Sequence, residues 1–218
     1  MQLDPEQSAH CAKVLRLQVG APLSLINGRG LLAEARILEA HTKKTWVEVI
    51  DLKHEPIQSA IRLVFGITKP IALESILKKC TELGLASFQP LVTDHSLHPG
   101  SWNAERWNKV IIEACKQSQE LWFPALAEPL TFSNWLSQRK ALHSLIVCDE
   151  NERTPSLTHP LKTPVEILIG PEGGWSVLER ERLKSLNGIS LGLGKNRLRA
   201  DTACLVALAL TKNAVGEL

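Results

Sequence analysis

The apolar positions of the first fifty residues change their period once. Asp4 can cap a helix with Pro5 at its first position and Gln7 as the returning half of a capping box, and Ala9, Ala12, Val14, Leu15 and Leu17 then form a short helical stripe. Beyond it the alternation is that of strands. Residues 22–26, 31–38 and 45–52 predict three β-strands, separated by Asn27-Gly-Arg-Gly and by the polar turn His41-Thr-Lys-Lys. They predict a compact, barrel-like module of about 55 residues, small enough to lean on a neighbour for stability. Lys53 to Ser59 reads as the linker, which divides the chain into residues 1–58 and 59–218.

From Ala60 onward strands alternate with helical patterns, the signature of an α/β unit on a mainly parallel sheet. The predicted strands are 61–65, 87–92, 144–148, 165–169 and 189–193. Leu73, Ile76, Leu77, Cys80 and Leu83 fall at helical spacing with Gly84 as the stop, and a second amphipathic helix runs through Trp107, Val110, Ile111, Ala114 and Cys115. Ser176 and Glu179 make a capping box for a third helix. Asp201 or Thr202 is expected to cap the last, whose run from Ala203 to Leu210 is apolar on nearly all sides and predicts burial, in part against a second subunit.

Composition narrows the class. With 44% apolar and 22% charged side chains the chain has the balance of a soluble globular protein. The formal charge is only +2, and residues 1–58 hold 7 basic and 7 acidic side chains, leaving 18 and 16 for the rest. No bulk field announces a nucleic-acid partner, so any such contact is local. The Ala203–Leu210 run is far short of the ~20 residues that span a bilayer, and Asp4, Pro5 and Glu6 stand where a signal peptide needs basic then apolar residues. A cytoplasmic protein without membrane contact is expected. The five cysteines form no Cys-x-x-Cys pair and sit in apolar contexts, which reads as buried reduced thiols rather than a disulfide scaffold. His95 and His98 are close, but Thr93 to Pro99 supplies no further ligand set, so no metal site is expected.

Two segments carry candidate chemistry. Ile167 to Ser176 (Ile-Leu-Ile-Gly-Pro-Glu-Gly-Gly-Trp-Ser) is a buried strand that breaks into a glycine-rich turn and then a capped helix, the position at which open α/β sheets bind ligands. The same glycines would also serve a plain tight turn. The segment lacks the Lys-Ser/Thr of a phosphate-cradling loop and the Gly-x-Gly-x-x-Gly of a dinucleotide site. In the second segment, Leu191 to Ala203, Lys195, Arg197 and Arg199 put three cations within five residues just before a helix N-terminus, where the dipole disfavours them. They suit RNA phosphate or charge developing on a substrate oxygen; a solvated basic turn balanced by Asp201 is the other reading. Six tryptophans invite a stacking role with bases, but most occupy core positions, and Trp175 is expected to pack beside the glycine loop.

Leu168-Ile-Gly-Pro-Glu-Gly-Gly, followed by Leu-Gly-x-x-x-Leu-Arg-x-Asp-Thr-Ala at Leu193 to Ala203, resembles the paired C-terminal motifs of RsmE-type 16S ribosomal RNA uridine-N3 methyltransferases of the SPOUT class. His10-x-x-Lys-Val-Leu-Arg-Leu-x-x-Gly with Asn27-Gly-Arg-Gly is similar to that family's PUA-like barrel. Leu77-x-Lys-Cys-Thr-Glu-Leu-Gly and Glu113-Ala-Cys-Lys-Gln-Ser resemble its two central helix motifs. The resemblance covers nearly the whole chain. It implies a PUA-like β-barrel over residues 1–58 that binds RNA and a SPOUT α/β methyltransferase domain over 59–218 whose C-terminal chain forms a trefoil knot. It implies S-adenosyl-L-methionine as cofactor, 16S rRNA or the small ribosomal subunit as partner, and a homodimer. By position, Leu168, Ile169, Gly170, Glu172, Gly173 and Gly174 would form one side of the cofactor pocket and Leu193, Gly194, Leu198 and Arg199 the other; Arg16, Arg29, Lys195 and Arg197 would meet RNA.

Methylating an imide nitrogen requires loss of its proton and stabilisation of charge on the uracil oxygens, roles assigned here to Arg199 for the charge and to Asp201 or Glu172 for the proton. The chain departs from the family pattern in four places. Gln119, Glu120 and Leu121 follow Gln117-Ser without the usual arginine, Lys195-Asn196 replaces a Pro-Arg pair, Asp201 replaces a glutamate, and the basic-aromatic opening strand does not precede Gln2. These bear on RNA recognition more than on fold, and Arg197 can supply the charge that Asn196 lacks. They leave a second reading, a catalytically inactive or differently targeted SPOUT-fold RNA-binding protein, and a third, an unrelated α/β enzyme binding a metabolic nucleotide.

Overall fold

The computed structural model describes residues 1–100, 102–139, 144–148, 157 and 161–218, and the chain divides into two units, Met1–Ile57 and Gln58–Leu218. In the first, helix α1 (Pro5–Ala9) has the predicted Asp4 cap, the carboxylate accepting from the Gln7 N–H at 2.8 Å, but no returning bond from the Gln7 side chain forms among the described residues. It then widens into a π-turn over His10–Val14. The wider turn breaks the 3.6-residue period, so the predicted stripe packs only in part: Ser8 and Cys11 point inward and Leu17 packs on the core, while Val14 and Leu15 stay 67% and 54% exposed. Ser8 is tolerated in the core because its hydroxyl donates to the Leu3 carbonyl and accepts from the Thr45 N–H. Strands β1 (Pro22–Ile26), β2 (Leu31–Glu39) and β3 (Trp46–His54) form an antiparallel meander over a core of Leu3, Cys11, Ala35, Ile37 and Val47. In the β1–β2 turn the Asn27 side chain accepts from the Arg29 and Leu31 N–H groups.

The second unit is a parallel sheet. Its described strands are β4 (Ile61–Gly66), β5 (Ser87–Val92), β6 (Ala125–Leu126), β7 (Leu130–Thr131), β8 (Ser144–Cys148), β9 (Val165–Ile169) and β10 (Ile189–Leu191). The order is β10-β8-β9-β4-β5-β6 with β7 also on β5, and every pairing is parallel. Its helices are α2 (Pro70–Leu83), α3 (Ala104–Ser118), α4 (Phe132–Gln138), α5 (Val177–Lys184) and α6 (Ala200–Val215). β4 and β9 are apolar but for Arg62 and Glu166, as central strands of a parallel sheet are, and every β9 residue is buried. Glu166 is the exception in type. It lies between Arg139 at 3.0 Å and Arg62 at 3.4 Å, and Arg62 also donates to Gln89, which pins the register of β4, β5 and β9 at their amino ends.

The α6 cap differs from the expectation. The N-cap position is Arg199, which forms no side-chain cap, and Asp201 lies inside the first turn with its carboxylate turned to Ser75 of α2. A neighbouring helix offers a donor that the helix's own first turn would otherwise supply. Cys204, Ala207, Leu208 and Thr211 are buried, whereas Leu205, Val206 and Leu210 are only partly covered in the single chain. At the far end Lys212 donates to the Gly84 carbonyl at 3.1 Å and pairs with Glu217 at 3.5 Å, tying the ends of α2 and α6 together. Helix α4 and the short β6 and β7 are additions to the predicted set. Thr131 caps α4 by accepting from Asn134, and Phe132 and Trp135 bury its inner face.

Candidate functional site

Three loops converge at the carboxyl ends of the parallel strands, and glycines let them approach. A Cβ on Gly66, the last residue of β4, would lie 2.6 Å from Pro171 Cδ, so the loop after β9 crosses directly over β4. Under that loop Trp175 packs on Phe132, ring centroids 5.8 Å apart, and a Cβ on Gly170 would come within 3.1 Å of its indole nitrogen. That nitrogen is buried and has no hydrogen-bond partner among the described residues. Gly173 meets the loop after β5: its carbonyl lies 3.1 Å from His95 Nδ1, and a Cβ there would be 2.8 Å from His95 Cβ.

One carboxylate holds two of the loops. The predicted capping box of α5 forms, with Ser176 accepting from the Glu179 N–H and Glu179 Oε2 accepting from the Ser176 N–H. Buried Glu179 also accepts from the Asp94 N–H through Oε1 at 3.1 Å, so the loops after β5 and β9 are fixed to each other. From the third loop, after β10, Arg197 donates to the Glu172 carbonyl at 3.0 Å. Gly194 adopts φ +112°, a conformation a side chain rarely takes.

Between the loops after β9 and β10 lies a cavity of about 320 Å³. Ile169, Gly170, Glu172 and Gly174 line one wall, and Leu193, Gly194 and Leu198 the other, together with Lys195 and Arg197. A second cleft of about 300 Å³ adjoins it, sharing Glu172 and Ala200, and is lined by Lys69, His95, Gly173, Arg199 and Asp201. Gly173 and Arg199, expected beside the cofactor, thus face the second cleft, and Leu168 faces neither because it is wholly buried in the core under the loop. The two residues lie on opposite faces of β9, and their surroundings decide the difference: Leu168 packs with Val64, Leu91 and Trp175, whereas Ile169 borders the cavity. Arg16 and Arg29 belong to the first unit and are exposed.

The Arg199 guanidinium makes no hydrogen bond or ion pair among the described residues, although its neighbours Arg197 and Asp201 are both held. Lys69, Ser75, His95 and Cys148 were not singled out by sequence as site residues. Lys69, His95 and Cys148 each stand at or just beyond the carboxyl end of a parallel strand, which is the signal that could have found them. Cys148 borders the first cavity, but burial pushes its thiol up to about 12, as it does Cys80 and Cys115, so these are not nucleophiles at neutral pH. Among the described residues no group of three or more His, Cys, Asp or Glu side chains is placed to hold a metal, and no helix is long and apolar enough to cross a membrane.

A parallel α/β unit whose glycine-rich loops enclose a cavity, preceded by a small antiparallel unit, is the plan of RNA methyltransferases that carry a PUA domain. Both parts match such families: the RNA methyltransferase domain over residues 54–212 and the RNA methyltransferase PUA domain over residues 3–50. The chain is 34% identical over 215 residues to the ribosomal RNA small subunit methyltransferase E of Synechocystis, covering 95% of this chain and 71% of that protein. The protein of the same name from Rickettsia conorii is 31% identical, with 96% and 88% covered. A methyltransferase of Legionella pneumophila solved with bound S-adenosylmethionine superposes with a TM-score of 0.87 at 28% identity, over 98% of this chain and 91% of that one. The chain belongs to the family of ribosomal RNA small subunit methyltransferase E.

Proposed function

We propose that this protein transfers a methyl group from S-adenosyl-L-methionine to N3 of a uridine in 16S ribosomal RNA of the small subunit. The observation that carries this reading is the pair of adjoining clefts: one walled by glycines and apolar residues with Lys195 and Arg197 at its edge, the other presenting an Arg199 side chain that has no partner among the described residues beside an anchored Asp201. The first cleft fits the cofactor. Gly170, Gly174 and Gly194 leave backbone open to it, Ile169, Leu193 and Leu198 supply apolar surface for an adenosyl group, and the buried indole N–H of Trp175 stands orphaned at its wall.

When bound, S-adenosylmethionine supplies an electrophilic methyl whose bonding pair stays with sulfur. The rest falls to the chain. Arg199 faces the second cleft with its charge uncommitted and stabilises the negative charge that spreads onto the uracil oxygens as N3 loses its proton. Asp201 or Glu172, which also line that cleft, accepts the proton. Lys195, Arg16 and Arg29, exposed in the basic turn and on the first unit, contact RNA phosphate, and Arg197 does so while bridging to the Glu172 carbonyl. In this reading residues 1–58 are the RNA-binding unit and 59–218 the methyltransferase domain. The protein works in the cytoplasm as a homodimer that covers the half-exposed Leu205, Val206 and Leu210 of α6.

The test is transfer of labelled methyl to small-subunit RNA from a strain lacking the protein, in the presence of EDTA, followed by nucleoside mass spectrometry. The expected product is one 3-methyluridine. Cofactor binding by calorimetry without transfer would instead favour the inactive RNA-binding reading.

A further inference from the structure

Asp201 and Glu172 both line the second cleft, and the structure treats them differently. The Ser75 hydroxyl, reaching across from α2, donates to Asp201 Oδ2 at 3.1 Å. The other oxygen, Oδ1, is buried and accepts no hydrogen bond among the described residues. Asp201 neither caps α6 nor forms an ion pair with a described cation, so structure alone leaves half of this carboxylate unused. Glu172 is exposed, and among the described residues only its backbone carbonyl is held. A proton acceptor works when its oxygen is fixed within hydrogen-bond reach of the proton, and a freely rotating surface carboxylate is not.

We propose that Ser75 is a positioning residue that holds Oδ2 of Asp201 and thereby fixes the carboxylate that accepts the N3 proton of the target uracil in the second cleft. This rests on the uridine-N3 reading above and chooses between its two acceptors. The N3–H bond breaks, the proton passes to the Asp201 carboxylate, and the electron pair left on N3 forms the bond to the methyl carbon as that carbon leaves sulfur. The carboxyl group returns its proton to water once the product departs. Arg199, two residues earlier on the same cleft, balances the charge on the ring oxygens meanwhile.

The experiment measures kcat, KM for RNA and cofactor Kd in the full-length protein for Ser75→Ala, Ser75→Thr, Asp201→Asn, Glu172→Gln and the double variant Ser75→Ala with Asp201→Asn. Asp201→Asn is expected to lower kcat by about 10²- to 10⁴-fold. Ser75→Ala should lower it by about 10- to 100-fold with KM and Kd nearly unchanged, and Ser75→Thr, which keeps the hydroxyl, should recover most of the loss. The double variant should be no slower than Asp201→Asn alone, because the serine acts only through that carboxylate. Losses that multiply in the double variant, a Ser75→Ala defect confined to KM or Kd, or a large loss in Glu172→Gln with little in Asp201→Asn would overturn the assignment. With wild-type turnover intact those results overturn the acceptor alone. A wild type that transfers no methyl, or places it elsewhere than N3, overturns the functional reading and the acceptor with it.

Discussion

Arg199 combines two features that a fold would not keep for stability: a cation at a helix N-terminus, and a guanidinium with no partner among the described residues. Because it lines the second cleft rather than the first cavity, proposed above for the cofactor, Arg199→Ala should abolish methyl transfer while cofactor affinity stays within a few-fold, read by labelled-methyl assay and calorimetry. Normal turnover would refute its role. Cys148 gives a contrasting case. With its thiol raised to about 12 by burial, only about one in ten thousand is ionised near pH 8, so alkylation should be slow and should accelerate about tenfold per pH unit toward the pKa. Rapid labelling near neutrality, followed by peptide mass spectrometry, would contradict that burial. The charge of Arg199 was legible in the sequence. Its freedom was not, because whether a cation is paired depends on what the fold brings beside it.

At the scale of elements, the capping box of α5 was written in Ser176-x-x-Glu179, since both halves lie within one turn. The second bond of Glu179, to the Asp94 N–H, joins residues 85 apart and has no local signal. It makes Glu179 worth more than a cap. Ser176→Ala should destabilise the protein by about 1 kcal/mol, and Glu179→Ala by about 2–3 kcal/mol, with loosened exchange protection in the loops after β5 and β9. Equal losses in denaturant melts would show that the bond to Asp94 contributes nothing. The cap of α6 failed in the opposite direction. Local rules assign Asp201 to its own helix, and α2 claims it through Ser75.

For the whole molecule, a net charge of +2 confines RNA attraction to a few side chains. If Arg16, Arg29, Lys195 and Arg197 each neutralise one single-strand phosphate, the logarithm of the binding constant should fall with the logarithm of salt at a slope of about −2.8 per protomer. A slope near zero in filter binding or fluorescence titration would remove phosphate contact from the reading. The sequence by itself determined the two-part plan, the parallel strands and the glycine and basic segments, because periodicity, capping and turn chemistry are short-range. Tertiary structure alone decided that Leu168 is core while Ile169 reaches the cavity, that Gly66 is needed to let Pro171 cross, and that Gly173 and Arg199 face a second cleft. It also turned Asp201 from a helix cap into the anchored half of a site. The reason is common to all four: each depends on which groups from distant strands and helices occupy the same few ångströms, and a linear pattern does not encode that distance.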